Sequence, residues 1–163
     1  MSVSFRPIEK NDLREVTSIY NYYVENSTAT FHLESITEME MEDTLRIGHS
    51  LYQSFVVLYN NEICGFCYLG QFRKKEAYDI SAEVTLYIKP DFTGKQIGVD
   101  ILAFMEKVAK NVGLKNLVGV ITSENTGSIK LFEKCGYFKV GHLKNIGVKF
   151  GRALDVVSYQ KEI

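Results

Sequence analysis

The stretch that most constrains this chain is EVTLYIKPDFTGKQIGVDILAFMEKVAK, Glu83 to Lys110. It opens with alternation, Val84, Leu86 and Ile88 on one side and Glu83, Thr85 and Tyr87 on the other, the two-residue period of a strand. Pro90 stops that strand. After a loop bearing Gly94 and Gly98, apolar residues recur at Ile97, Ile101, Met105, Val108, Ala109 and Val112, one face of a helix that Gly113 closes. A strand that feeds a helix through a glycine-bearing turn leaves backbone N–H groups, and the positive end of the helix dipole, open to an anion. The turn is therefore a candidate phosphate-binding turn. The same unit also occurs in α/β proteins that hold no phosphate, and these glycines match neither GxGxxG nor the P-loop pattern.

The remaining elements follow from period and punctuation. Ser2 to Arg6 reads as a first strand ended by Pro7, and Leu13, Val16, Ile19, Tyr20, Tyr23 and Val24 fall on one helical face behind Asn11 or Asp12 as N-cap. Glu25 to Phe31, ENSTATF, has no helical period and reads as a loop. Thr37 and Glu40 have capping-box spacing, which starts a second helix reaching about His49. Phe55 to Tyr59 and Ile63 to Gly70 form a hairpin around Asn60, Asn61 and Glu62, followed by a charged connection, Gln71 to Glu76. Beyond the central unit come a strand at Leu117 to Ile121, a short helix at Ser128 to Cys135 closed by Gly136, and strands at Tyr137 to Leu143 and Ala153 to Gln160, with Gly147 and Gly151 in the turns. This order of mixed connections predicts a single α+β sheet with helices on its faces.

At 163 residues, 45% of them hydrophobic and 24% charged, the chain suits one globular domain, residues 1–163. A formal net charge of −1 argues against broad attraction to nucleic acid or an anionic membrane. No apolar run approaches the roughly 20 residues of a membrane span, and MSVSFRPIEK lacks a signal-peptide core, so the cytoplasm is expected. The three cysteines, Cys64, Cys67 and Cys135, are too few and odd in number for a disulfide framework. Cys64 and Cys67 spell C-x-x-C, but within a strand-like run where residues three apart face opposite sides, and no four-ligand metal set is in view. No metal is expected.

Four stretches, taken together, resemble the GNAT acetyltransferases. They are NYYVENSTATF (Asn21 to Phe31), AYDISAEVTLYI (Ala77 to Ile88), GKQIG (Gly94 to Gly98) and NTGSIKLFEKCGY (Asn125 to Tyr137). The resemblance spans nearly the whole chain and is closest to the subgroup similar to phosphinothricin and methionine sulfoximine acetyltransferases. It implies the GNAT fold, an α/β/α sandwich with a mixed central sheet, and acetyl-CoA as co-substrate. The reaction it implies is direct attack of a small molecule's primary amine, that of an amino acid or a toxic analogue, on the thioester. A homodimer is also implied.

The resemblance places Glu83 near the amine, taking its proton directly or through water, although a strand glutamate is also an ordinary surface residue. It places the thioester and pantetheine against the backbone of Leu86, Tyr87 and Ile88, and the pyrophosphate on Thr93, Gly94, Lys95, Gln96, Ile97, Gly98 and Val99. Here the chain departs from the family's R/Q-x-x-G-x-G/A loop, with Thr93 at the Arg or Gln position and Gln96 at the first glycine. Asn125 and Ser128 match the N-x-x-A/S element that holds the pantetheine arm, while Asn125 is also a natural helix cap. Phe132 stands where relatives place a tyrosine or histidine general acid, and Leu154-Asp155 replaces a His-Asp pair, while Lys149 is kept. Phe31, Lys75 and Tyr78 fall where the subgroup shapes its acceptor pocket, with Lys75 at a position usually arginine. The departures at Thr93, Gln96, Phe132 and Leu154 motivate an alternative, a GNAT-like module that binds an acyl-CoA without turnover.

Overall fold

The computed structural model describes residues 2–163. Among these residues β1 (Val3–Pro7), β2 (Ser54–Tyr59), β3 (Glu62–Gln71), β4 (Ser81–Ile88), β5 (Asn116–Thr122), β6 (Phe138–Lys149) and β7 (Arg152–Glu162) form one sheet in the order β1-β2-β3-β4-β5-β7-β6. Only β4 and β5 run parallel. A parallel pair needs a long crossover, and the helix announced by the Ile97-to-Val112 period, α3 (Ile97–Asn111), provides it.

Helices cover both faces of the sheet. α1 (Leu13–Asn26) and α2 (Glu38–Leu45) bury Val16, Ile19, Val24, Met41 and Leu45 against Val56 and Phe66. On the other face α3 and α4 (Thr126–Lys134) bury Ile97, Ile101, Met105 and Phe132 against Ala82, Val84 and Leu117. The alternation of β4 thus divides two cores, Ala82 and Val84 belonging to the α3 side and Tyr87 to the α1 side. The Thr37–Glu40 capping box forms as the spacing predicts, Glu40 N–H donating to Thr37 Oγ1 at 3.1 Å and Thr37 N–H to Glu40 Oε2 at 2.7 Å.

Three expectations need correction. α2 stops at Leu45, short of His49, because Arg46 turns left-handed (φ 48°). Gly147 is not in a turn. It lies in β6 paired with Leu154, and the hairpin reverses instead at Phe150 and Gly151, both at positive φ. Cys64 and Cys67 do not face opposite sides either. The β2–β3 register shifts between Val57 and Leu58, so Gly65 and Ile63 pair with consecutive residues and Cys64 is the extra residue of a bulge. That one-residue insertion resets the phase of the strand, and both thiols are free and buried in the α3-side core.

Candidate active site

The β4–β5 pairing covers only Ser81↔Asn116, Ala82↔Leu117 and Glu83↔Val118. Past Glu83 the two strands separate, while β4 stays paired with β3 through Ile88. Lys89 N–H donates to the Cys64 carbonyl on β3, so alternation turns the N–H and C=O groups of Leu86 and Ile88 to the opposite edge, which faces the gap. The Tyr23 hydroxyl of α1 donates to the Ile88 carbonyl, leaving N–H groups on that edge for a ligand.

The gap opens into a cleft of about 600 Å³. Its β4 wall includes Leu86, Tyr87 and Ile88; its end is Thr93, Gly94, Gln96, Ile97, Gly98 and Val99; and α4 supplies Asn125 and Ser128 on the far side. Of the donor-site residues inferred above, Lys95 is exposed and does not line the cleft.

The N-terminus of α3 is the floor of that end. The Thr93 hydroxyl is engaged by the Pro90 carbonyl at 2.8 Å. Gly94 and Gln96 both take positive φ, 76° and 64°. Gln96, where the family pattern has glycine, therefore adopts the left-handed geometry that a side chain disfavours by about 1–2 kcal/mol, and its Oε1 is tied by Lys134 Nζ of α4 at 2.9 Å. Gly98 has a different purpose, since a Cβ there would lie 2.7 Å from Leu131 Cδ2. Its absence lets α4 close against the first turn of α3. The N–H groups of Ile97, Gly98 and Val99 belong to that first turn and have no helical acceptor behind them.

Glu83, the last β4 residue paired to β5, is half-buried beside the closed end of the gap and does not line the cleft. Burial raises its carboxyl pKa above the ordinary range. Its face of β4 also carries Thr85 and Tyr87, and the cross-strand partner of Thr85 is Tyr68, whose phenol burial pushes up to about 12. Beyond them the α1–α2 loop is strapped to the second half of the chain. Thr122 Oγ1 donates to the Thr28 carbonyl at 2.5 Å, Thr28 Oγ1 to Glu124 at 2.6 Å, and Arg152 clamps Glu124 with two bonds of 2.9 Å. The Phe31 ring fills the space a Cβ at Gly147 would need, 2.5 Å away.

Residues 5–157 match the model of the acetyltransferase (GNAT) domain. The chain belongs to the GNAT acetyltransferases. It is 31% identical to a phosphinothricin N-acetyltransferase of Streptomyces viridochromogenes, over 98% of this chain and 87% of that one. It is 30% identical to an L-methionine sulfoximine/L-methionine sulfone acetyltransferase of Pseudomonas aeruginosa, over 98% and 94%. Its fold superposes on a phosphinothricin acetyltransferase from Sinorhizobium meliloti, solved in complex with AcCoA, with a TM-score of 0.92 at 28% identity, covering 100% of this chain and 89% of that one.

Within this GNAT frame the departures have physical consequences. Phe132, at the general-acid position, is 3% exposed, packs edge to face on Tyr137 at 4.8 Å and fills the space above Gly119. It is core with one edge on the cleft. Leu154 is buried, and Asp155 is held by Asn145 N–H (2.7 Å) and His142 Nε2 (2.8 Å) on the β6–β7 hairpin. Lys75 and Tyr78 stand exposed on the turn leading into β4, Tyr78 against Phe72, and neither lines the cleft, nor does Phe31.

The sequence reading missed several residues at the GNAT site. Tyr23, Phe92, Lys130 and Lys134 also line the cleft. Lys130 and Lys134 are four apart on α4, a spacing that places two cations on one helix face and was legible. Lys149 is 2% exposed, with its Nζ 2.8 Å from the Thr30 carbonyl and its pKa lowered by burial. No pattern of period or charge marks it, and only the family resemblance names it in the sequence. Among the described residues no group of His, Cys, Asp and Glu could hold a metal ion, and no helix is long and apolar enough to cross a membrane.

Proposed function

We propose that this chain, as one catalytic domain, moves an acetyl group from acetyl-CoA to the primary amine of a small amino acid or toxic analogue of the phosphinothricin or methionine sulfoximine kind. The observation that carries this reading is the parting of β4 from β5 immediately after Glu83. It creates an open strand edge and a cleft that ends on helix amides, with the half-buried Glu83 carboxylate at the last residue paired before the gap.

The residues present fit the donor. The unpaired edge at Leu86 and Ile88 offers N–H groups to the pantetheine amides and the thioester carbonyl, with Tyr87 as neighbouring wall. The Thr93 to Val99 turn offers the amides of Ile97, Gly98 and Val99 to the pyrophosphate. Lys95, Lys130 and Lys134 add cations around it. Asn125 Oδ1 caps α4 by accepting Ser128 N–H at 3.2 Å, which leaves the Asn125 amide nitrogen to meet the pantetheine arm. Acetyl-CoA supplies an activated acyl group whose leaving thiolate is stable enough to depart without the acid that Phe132 does not provide.

Glu83 deprotonates the ammonium directly or through water. A carboxyl pKa raised by burial narrows the gap to the amine it must relieve. Phe31 walls the acceptor side, and Lys75 and Tyr78 meet the far end of the acceptor, Lys75 pairing with its carboxylate as a point charge.

The exposed apolar side chains of the edge strand β6 and its turn, Phe138, Val140, Leu143, Ile146, Val148 and Phe150, support assembly as a homodimer through that edge. Light scattering after size exclusion tests it, and a monomer at micromolar concentration refutes it. Three free cysteines, two of them fully buried, suit a reducing cytoplasm.

The deciding assay is acetyl-CoA-dependent thiol release with phosphinothricin, methionine sulfoximine, methionine sulfone, common amino acids and a polyamine. Release above the rate without acceptor establishes the transferase and its substrate class. Silence across the panel with acetyl-CoA still raising Tm would overturn it in favour of a binding module.

A further inference from the structure

Tyr23, near the end of α1, reaches the open edge of β4. Its hydroxyl donates to the Ile88 carbonyl, and Tyr23 and Ile88 both line the cleft. The last turn of α1 fixes its backbone, the Tyr23 carbonyl accepting from Ser27 N–H at 3.1 Å and from Ser27 Oγ at 3.0 Å. Its ring lies between two others, edge to face with Tyr22 at 5.3 Å and tilted against Tyr87 at 5.4 Å. Burial raises the phenol pKa, which keeps the donated proton in place. Leu86 and Ile88 are successive residues that turn their backbone groups to the gap, because Lys89 N–H, one residue out of phase, is directed to the Cys64 carbonyl on β3. By backbone alone the two offer a ligand the same pair of groups, one N–H and one C=O. Tyr23 removes the C=O of the outer pair.

We propose that Tyr23 is a positioning residue that sets the register of the donor's pantetheine arm along β4. The inference rests on the transferase reading above, which seats that arm on this edge. The arm carries amides, each with its own N–H and C=O, and it meets an open strand edge as an added strand does. Two equivalent seats let such a chain slip by one step, which is two residues of strand or about 6–7 Å. A pyrophosphate held on the α3 amides does not prevent the slip, since the single bonds between the two anchors give slack. With the Ile88 carbonyl occupied, an amide N–H brought beside Ile88 finds no acceptor there, and a desolvated N–H without a partner is costly. Leu86 is then the seat that satisfies both groups of an amide, and Ile88 receives a carbonyl only.

Register decides whether a bound donor reacts. Acyl transfer needs the attacking nitrogen within about 3–3.5 Å of the thioester carbon, and a slip of one step carries that carbon about twice as far. A donor seated one step out is therefore bound but idle. Such a state competes with the productive one, lowering kcat and KM by the same factor and leaving kcat/KM unchanged. A side chain that only packed against the cleft wall would not produce that pattern.

The test is Tyr23→Phe, which keeps the ring between Tyr22 and Tyr87 and bares the Ile88 carbonyl. Calorimetric titration with acetyl-CoA and steady-state kinetics with the acceptor that the parent turns over best read its effect. The acetyl-CoA Kd, the acetyl-CoA KM and kcat should each fall about 3- to 10-fold, the worth of one neutral hydrogen bond, while kcat/KM stays near the parent value. A Kd that rises overturns the proposal, as does a Kd or a kcat that stays within about twofold of the parent. A structure of the parent with acetyl-CoA reads the same point without a substitution, and it decides alone should the variant fail to fold. The Tyr23 hydroxyl should remain on the Ile88 carbonyl, and a pantetheine N–H seated there in its place overturns the proposal. A parent that binds acetyl-CoA but is silent with every acceptor refutes the transferase reading, while the Kd and the complex still decide the register. A parent that does not bind acetyl-CoA refutes both.

Discussion

Gly65 is the position where one added carbon would do most damage to the donor cleft. It sits in β3 beside the bulge and pairs with Ile88, and a Cβ there would lie 2.4 Å from the Tyr87 carbonyl oxygen and 3.2 Å from Ile88 Cα. Both obstacles are backbone, so no rotamer change relieves them. Carbon–oxygen contacts settle near about 3.3 Å, so Gly65→Ala must separate β3 from β4 by about 0.9 Å. Overpacking of that size costs about 1–3 kcal/mol, and a weakened ladder bond adds about 1 kcal/mol. The sum of about 2–4 kcal/mol lowers Tm by about 5–15 °C in a chain of this length. The shift also displaces the Leu86–Ile88 edge, so the acetyl-CoA Kd should rise. Thermal melts and calorimetric titration read both. Gly141→Ala is the control, because nothing lies within 4 Å of its added Cβ, and it should melt within about 2 °C of the parent. If Gly65→Ala melts that close as well, the clash does not govern the strand pair and the reasoning fails.

Other substitutions read different parts of the site. Glu83→Gln should lower kcat by about 10²-fold or more while acetyl-CoA binding is kept. Because burial raises the Glu83 pKa, the folded state binds its proton more tightly than the unfolded chain, and stability falls as pH rises through the folded value; at neutral pH the Gln variant should therefore melt no lower than the parent, and a clear loss of Tm would contradict that sign. Gln96→Gly should raise Tm by about 1–4 °C, since relief of about 1–2 kcal/mol of left-handed strain exceeds the 0.5–1 kcal/mol of added chain entropy; a lower Tm would show that the bond from Lys134 outweighs the strain. Glu124, held down to about 2 by Arg152 and Thr28, has a depressed folded value, so its contribution is present above the ordinary carboxylate range and lost as pH falls towards about 2. Arg152→Ala should remove that acid-limb dependence and raise the acceptor KM, and identical acid melts of the two proteins would refute the strap.

The architecture was legible wherever one period covered an element. The alternation of Glu83 to Ile88, the helical face from Ile97 and the Thr37–Glu40 box each encode a local geometry that tertiary packing then uses unchanged. What failed was phase. A bulge at Cys64 costs the sequence no unusual residue, yet it moves a thiol across the sheet, and Gly147 reads as a turn although its missing side chain makes room for Phe31 within a strand. The cleft beside β4 was visible because helix amides and a strand edge need only the right backbone order. The cluster of Thr30, Tyr20, His32 and Lys149 was not, because its members meet through contacts between residues up to 119 apart.

One interruption of pairing accounts for both halves of the site. Had β4 and β5 stayed paired to their ends, the amides of Leu86 and Ile88 would be spent in the ladder and no ligand could reach them. Because the strands part after Glu83, that residue is the last of β4 fixed by the sheet on two sides, and Val84 and Thr85 are the first to line the gap. The base proposed at that place is rigid through its backbone and partly desolvated by burial. It is also within the sheet that carries the donor edge. The strap from Thr28 to Thr122 and Glu124 ties the α1–α2 loop to the diverging end of β5. The proposed donor edge, base and acceptor loop therefore all refer to one pair of strands, and a shift in either strand moves them together.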